Sequence, residues 1–311
     1  MNIWKNSALF LGLLLLGFLV IEGKSDTRDS AWDKISVVEI KVLNDDVTLY
    51  AKIAGNVKAE NILIAINGGP GQSGRYMDSI DKLVGDNLAL VTYDQRGTGQ
   101  SSKPTSGYEL LKYVEDLEAV REAVGAEQVH VLGHSWGGII TMRYATVHPN
   151  RVRSIILMGS GPPARQAAQE GQARLGQRMA SLQKQGIIPE TLPQDLESLM
   201  EAILPAYFSD PKFKIPAEIR ETSFSQEVNQ QTFSALGNWD FSQEVSQLTH
   251  PVLLLWGKDD PFGLPMVEAV KDSLSSAQIT FVLLDGCGHY WQECPDTFFA
   301  RIRTFLKLNG S

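Results

Sequence analysis

The sequence predicts an α/β protein: a mostly parallel, doubly wound sheet with a helical cap inserted into it. Three observations carry this. Continuous apolar runs of strand length recur along the chain, as strands buried on both faces of a parallel sheet require. Helical patterns separate these runs, and glycine-rich motifs follow them, at the carboxyl ends where such sheets bind ligands. Residues 164–249 differ in character, being rich in Gln, Glu and Ala, helical in pattern and broken at Gly186, Pro193, Pro205, Pro211 and Pro216. The expected division is a leader over 1–24, a core formed by 35–163 and 250–311, and a cap over 164–249.

In order, residues 35–43 and 47–54 partly alternate apolar and polar around Asn44-Asp45-Asp46, which predicts an opening hairpin at an antiparallel sheet edge. Ile62-Leu63-Ile64-Ala65-Ile66 is a buried strand ending in Asn67-Gly68-Gly69-Pro70-Gly71. Leu88-Ala89-Leu90-Val91-Thr92-Tyr93 is another, ending in the loop from Asp94 to Ser101. Apolar spacing over 108–124 predicts a helix. Val129-His130-Val131-Leu132 then runs into Gly133-His134-Ser135-Trp136-Gly137-Gly138, after which a second helical pattern begins. Residues 153–158 form a core strand closed by Gly159-Ser160-Gly161-Pro162-Pro163. Beyond the cap the core resumes over 250–261, followed by a helix over 265–274, a strand over 279–284 and a closing helix over 295–308.

The chain has 311 residues, enough for one large core with an inserted cap. Net charge is −8 without a basic cluster, which argues against a nucleic-acid partner. Lys5 precedes an apolar run over residues 8–21, after which charged residues return. This pattern predicts export by a secretory signal or attachment through an uncleaved membrane anchor. Two cysteines, Cys287 and Cys294, could pair in an exported protein or remain free thiols.

Gly-x-Ser-x-Gly between a strand and a helix is the nucleophile elbow, in which the serine occupies a turn so tight that its neighbours must be nearly bare. Gly133 and Gly137 flank Ser135 in this way, and the helix amino terminus beneath it favours developing negative charge. A serine hydroxyl needs a base, and the base needs an orienting carboxylate. In this architecture the three follow in the order Ser, Asp or Glu, His, each at a strand's carboxyl end. His130 lies within a strand, His148 and His250 precede prolines, and His134 abuts the serine. His289, in a glycine-bracketed loop after the last strand, is the expected base. Asp259 and Asp260 compete for the acid. The expected oxyanion donors are the N–H groups of Trp136, directly after the nucleophile, and of Gly69 in the turn after the Ile62–Ile66 strand. No Gly-x-Gly-x-x-Gly follows the first strand and no His/Cys ligand set is clustered, so neither a metal nor an organic cofactor is implied.

From residue 35 onward the chain resembles the α/β-hydrolase fold. Gly68-Gly69-Pro70-Gly71, the segment from Tyr93 to Ser101, and Gly133-His134-Ser135-Trp136-Gly137-Gly138 together look like the proline iminopeptidase family, serine aminopeptidases and relatives that remove N-terminal residues, often proline. The resemblance implies that Asp260 is the acid, three residues after Gly257. It implies His289 as base, an oxyanion donor in the Gly68-Gly69 turn, and a structural role for the Asp94–Ser101 loop. This chain has Asn67 where the family usually has histidine, and one cap tryptophan, Trp239, where the family commonly pairs them. Glu201, Glu218, Glu221 and Glu227 are cap carboxylates of the kind that family aminopeptidases use to hold a substrate's free amine, though none is named as a site.

Three functions compete. The first, and the one the motifs favour, is a serine aminopeptidase of proline iminopeptidase type that releases N-terminal proline or another small residue from peptides, which requires a buried cap carboxylate facing Ser135. The second is an esterase or lactonase on small acyl substrates, which an apolar cap pocket favours. The third is a ligand receptor that keeps the triad but barely turns over. Dehalogenase and epoxide hydrolase chemistry is disfavoured, because those relatives carry aspartate where Ser135 stands.

Overall fold

The structure, a computed structural model, describes residues 25–27 and 35–310 apart from 57 and 86. The leader expected over 1–24 lies outside the described residues. Among the described residues no helix is long and apolar enough to cross a membrane.

The described strands form one sheet in the order β1-β2-β3-β5-β4-β6-β7-β8-β9. Strands β1 (Ser25–Thr27), β2 (Ser36–Asn44) and β3 (Val47–Ala54) are antiparallel, and β3 joins β5 (Leu88–Tyr93) antiparallel. From β5 onward all pairs are parallel, through β4 (Asn61–Ile66), β6 (Val129–His134), β7 (Val152–Met158), β8 (Pro251–Gly257) and β9 (Gln278–Leu284). The hairpin turns at Asp45, whose φ is 50°. An aspartate tolerates that conformation better than most side chains. Strand β1, outside the hairpin, has no counterpart in the sequence reading.

The apolar runs are continuous because both faces of the sheet are covered. Successive residues of a strand point to opposite sides. Thus Ile62, Ile64 and Ile66 enter one core with Val131, Ile155 and Leu254, beneath helices α1 (Leu110–Ala123), α2 (Trp136–Val147) and α8 (Leu264–Ser273). Leu63 and Ala65 enter the other, with Leu132, Ile156 and Leu253. Helix α9 (Pro295–Asn309) and a 3₁₀ segment over Gly74–Leu83, not anticipated from the sequence, close that second face.

Between β7 and β8 the chain folds as helices α3 (Arg165–Lys184), α4 (Leu196–Ile203), α5 (Ala217–Arg220), α6 (Gln226–Leu236) and α7 (Ser242–Val245). Asp195 and Ser225 cap α4 and α6, accepting the Ser198 and Val228 amides at 2.8 and 3.3 Å. Strand order reverses between β4 and β6, and open α/β sheets form their ligand crevice at such a switch point.

Candidate active site

Ser135 sits at that reversal, at the carboxyl end of β6, with φ 55° and ψ −116°. This is an unfavourable conformation for any residue with a side chain, so the surrounding structure must hold it. The Ser135 amide donates to the Met158 carbonyl at 3.0 Å, and the Ser135 carbonyl accepts from the Gly138 and Gly161 amides, each at 3.0 Å. A side chain at position 137 would collide with the Ile66 carbonyl, so only glycine lets α2 start this close to β4. The first amides of α2 then lie beneath the serine.

His289 reaches the site from the loop after β9. Its Nδ1 lies 2.8 Å from Asp260 Oδ2, and a carboxylate there accepts the Nδ1 proton and leaves Nε2 bare. Asp260 Oδ1 accepts the Phe262 amide at 2.9 Å, which fixes the carboxylate plane. Asp259 points elsewhere, accepting the Ser209 hydroxyl at 2.7 Å on an exposed surface. The His289 amide donates to the Tyr207 carbonyl of the cap at 2.7 Å. Glu293 stitches the same loop to the cap by accepting the amides of Gly288, Ser209 and Asp210 at 2.7, 2.8 and 3.1 Å. Burial raises the Glu293 carboxyl above its ordinary range. Cys287 and Cys294 are joined in a disulfide that brackets His289, with Cα atoms 5.6 Å apart. Ser135 and His289 line one cavity, and no hydrogen bond joins them in this structure. Such bonds are often long before substrate arrives.

The turn after β4 completes the arrangement. Gly69 has φ 59°, the left-handed region, and lines the cavity. Neither the Gly69 nor the Trp136 amide meets a hydrogen-bond acceptor among the described residues. Free backbone donors beside a nucleophile can stabilise an oxyanion. Asn67, in place of the histidine usual in the family it resembles, still braces the turn, donating to the Gly68 and Gln72 carbonyls at 3.0 and 2.8 Å. Gln95 locks this to the elbow: its amide group donates to Asn67 Oδ1 at 3.0 Å and its oxygen accepts Trp136 Nε1 at 2.9 Å. Arg96 makes a two-point ion pair with Asp116 at 2.7 and 2.8 Å, both side chains wholly buried.

The cavity has a volume of about 570 Å³. Its walls are largely apolar, with Met200, Phe224, Phe233 and Trp239 from the cap and Phe262 and Met266 from the core, while Gln169, Gln172 and Asn229 add polar groups on the cap side. No aspartate or glutamate lines it, and Arg165 is its one permanently charged side chain, an exposed group whose Nη1 donates to the Gly237 carbonyl at 2.6 Å. None of the four cap glutamates weighed from the sequence reaches it. Glu221 pairs with Arg75 at 2.5 Å and Glu227 with Lys103 at 2.6 Å, both on the exterior, while Glu201 and Glu218 lie off the cavity. Sequence reasoning passed over Gln95, Tyr76 and the contacts of His134. No spacing rule marks residues that act by touching a motif from a distant segment.

A family profile described as the alpha/beta hydrolase fold matches residues 61–293. The proline iminopeptidase of Lactobacillus delbrueckii subsp. bulgaricus is 27% identical over 260 residues, covering 77% of this chain and 87% of that one. Among solved structures, the proline iminopeptidase of Mycobacterium smegmatis superposes with a TM-score of 0.71 at 20% identity, covering 88% of this chain and 98% of its own. An esterase from Exiguobacterium antarcticum superposes with a TM-score of 0.68 at 18% identity, covering 86% and 98%.

Proposed function

The chain belongs to the α/β-hydrolase fold family, and from that premise we propose that it is a serine hydrolase acting on acyl esters that present an uncharged, apolar group to the cap. The observation that carries this reading is the cavity above Ser135, largely apolar and without a carboxylate. An aminopeptidase must take a charged amine out of water. Doing so without a counter-charge costs several kcal/mol, of order those seen for unpaired buried ions. An apolar acyl group instead gains roughly 25 cal/mol for each Å² it buries there.

In this mechanism His289 Nε2 takes the Ser135 proton as the oxygen attacks the carbonyl carbon. Asp260 holds the imidazole in the tautomer that leaves Nε2 bare, and stabilises its charge once protonated. The Gly69 and Trp136 amides receive the oxyanion, each supplying about 2.7–4 kcal/mol of transition-state stabilisation. His289 returns its proton to the leaving group, and water, activated by the same base, releases the acyl-enzyme. No metal or organic cofactor is required.

A second reading is an aminopeptidase of proline iminopeptidase type, favoured by curated relatives of that name. The two separate on one comparison: a proline arylamide with a free amine, its N-acetylated twin, and a short-chain acyl ester, with Ser135→Ala as blank. The ester reading expects rapid cleavage of the ester and little of the free-amine substrate. Fast cleavage of the free-amine arylamide alone would reverse the order of the two readings. Wild-type rates from Ser135→Ala would remove the nucleophile from both. The N-terminal segment supports an exported or membrane-anchored location, tested by fractionating cells that express the full chain.

A further inference from the structure

Behind the reacting groups lies a hydrogen-bonded chain of buried side chains that the mechanism above does not use. Tyr76 and His134 are 0% and 1% exposed. Tyr76 Oη lies 2.7 Å from His134 Nδ1, and His134 Nε2 lies 2.9 Å from the backbone carbonyl of His289. The Gly68 amide donates to Tyr76 Oη. The His134 and His289 rings are 4.7 Å apart, and Tyr76, Tyr290 and Trp291 enclose His134 with their ring faces and edges.

Each direction in the chain follows from donor and acceptor chemistry. A carbonyl only accepts, so His134 Nε2 carries a proton. Burial among aromatic rings, with His289 beside it, holds the imidazole neutral, its pKa well below the usual histidine value. A neutral ring with a protonated Nε2 has a bare Nδ1, which must accept from the Tyr76 hydroxyl. With its proton so directed, the Tyr76 oxygen has lone pairs left to accept the Gly68 amide. Only one arrangement of protons satisfies every group.

We propose that Tyr76 and His134 are positioning residues that join the oxyanion turn to the base. They hold the Gly68 amide away from the reacting oxygen, leave Gly69 as the donor of that turn, and fix the main chain from which the His289 ring projects. The proposal rests on the serine-hydrolase reading of Ser135. Neither side chain touches substrate in this scheme, so removing either lowers kcat by misplacing other groups, with little change in KM. A misplacement near 1 Å costs up to about 100-fold in rate.

Three measurements test this. Wild-type protein should be labelled at Ser135 by a fluorophosphonate and should hydrolyse p-nitrophenyl butyrate. Failure of both would overturn the serine-hydrolase reading itself, an outcome distinct from those that follow. Tyr76→Phe should lower kcat on that ester by about 10- to 100-fold with KM within about twofold. Adding His134→Leu to Tyr76→Phe should cost no more than His134→Leu alone, since both break one chain. A kcat within about twofold of wild type for Tyr76→Phe, or multiplicative effects in the double variant, would overturn the proposal. A reading independent of how the variants fold is the ¹⁵N spectrum of the wild-type histidines. His134 should be neutral and protonated on Nε2 throughout the neutral range, whereas the Nδ1–H tautomer or a charged ring would overturn the proposed chain.

Discussion

Asp260 and His289 meet through a 2.8 Å contact between Oδ2 and Nδ1, although they stand 29 positions apart and Asp259 is one position closer to Gly257. Asp260→Asn should keep the geometry and present the wrong partner to Nδ1, lowering kcat by about 10⁴, as in the general serine-protease template. Asp259→Asn should leave kcat within about twofold. Steady-state kinetics of the two variants on one ester decides between them, and a larger loss at position 259 would move the acid there.

Gln95 joins two segments that must stay in register, accepting from Trp136 Nε1 and donating to Asn67. Gln95→Ala leaves a buried indole N–H and a buried amide oxygen without these partners, costing about 1–3 kcal/mol each where water cannot enter. The expected result is a urea midpoint lowered accordingly, with kcat reduced about tenfold because the Trp136 amide moves with its side chain. An unchanged midpoint would show that water replaces Gln95.

The Cys287–Cys294 disulfide closes a short loop around His289. On the chain-entropy model, opening a loop of this size costs about 2–3 kcal/mol of stability. The double variant Cys287→Ala/Cys294→Ala should melt at a lower temperature and turn over more slowly. Thiol titration of the unfolded wild-type chain should find free cysteines only after reduction. Equal melting and equal rates for the oxidised and fully reduced protein would show that the bridge does not position the base.

His130, buried in β6 against Ser154 and near Arg153, has its pKa lowered to about 4 by burial first and by the Arg153 charge second. The unfolded chain takes up this proton near pH 6.5, the folded chain only near 4. Stability from this group is therefore full above about pH 6.5 and is lost as the pH falls toward 4, by roughly 3 kcal/mol. His134, shifted in the same direction, adds to the loss. Denaturant titrations across that window should show the decline, and His130→Gln should flatten it. A slope unchanged in the variant would assign the acid sensitivity elsewhere.

Much of the fold was legible because its signals are local. Strands covered on both faces must be apolar at every position, so Ile62–Ile66 and Leu88–Tyr93 announce themselves. An elbow as tight as that around Ser135 admits little beyond glycine at 133 and 137. Other elements were harder to see. The three residues of β1 are too few to show a period. The 3₁₀ segment Gly74–Leu83 does repeat its buried Tyr76, Met77, Ile80 and Leu83 at helical spacing, a signal the sequence reading missed. Tyr76 and Gln95 act through hydrogen bonds to other segments, and nothing in their neighbours' identities encodes a partner.

The sequence alone determined the architecture, the elbow and the short list of groups able to act as nucleophile, base and acid, because periodicity and steric demand are written into adjacent residues. Only the tertiary structure decided which of two neighbouring aspartates meets His289, that Cys287 and Cys294 pair, and that the cap turns Glu221 and Glu227 outward to Arg75 and Lys103 while apolar side chains line the cavity. Contact between a carboxylate and an imidazole, or between a glutamate and a cavity, depends on how helices and loops far apart in the chain cross in space. Distances of a few ångströms then decide which chemistry is available.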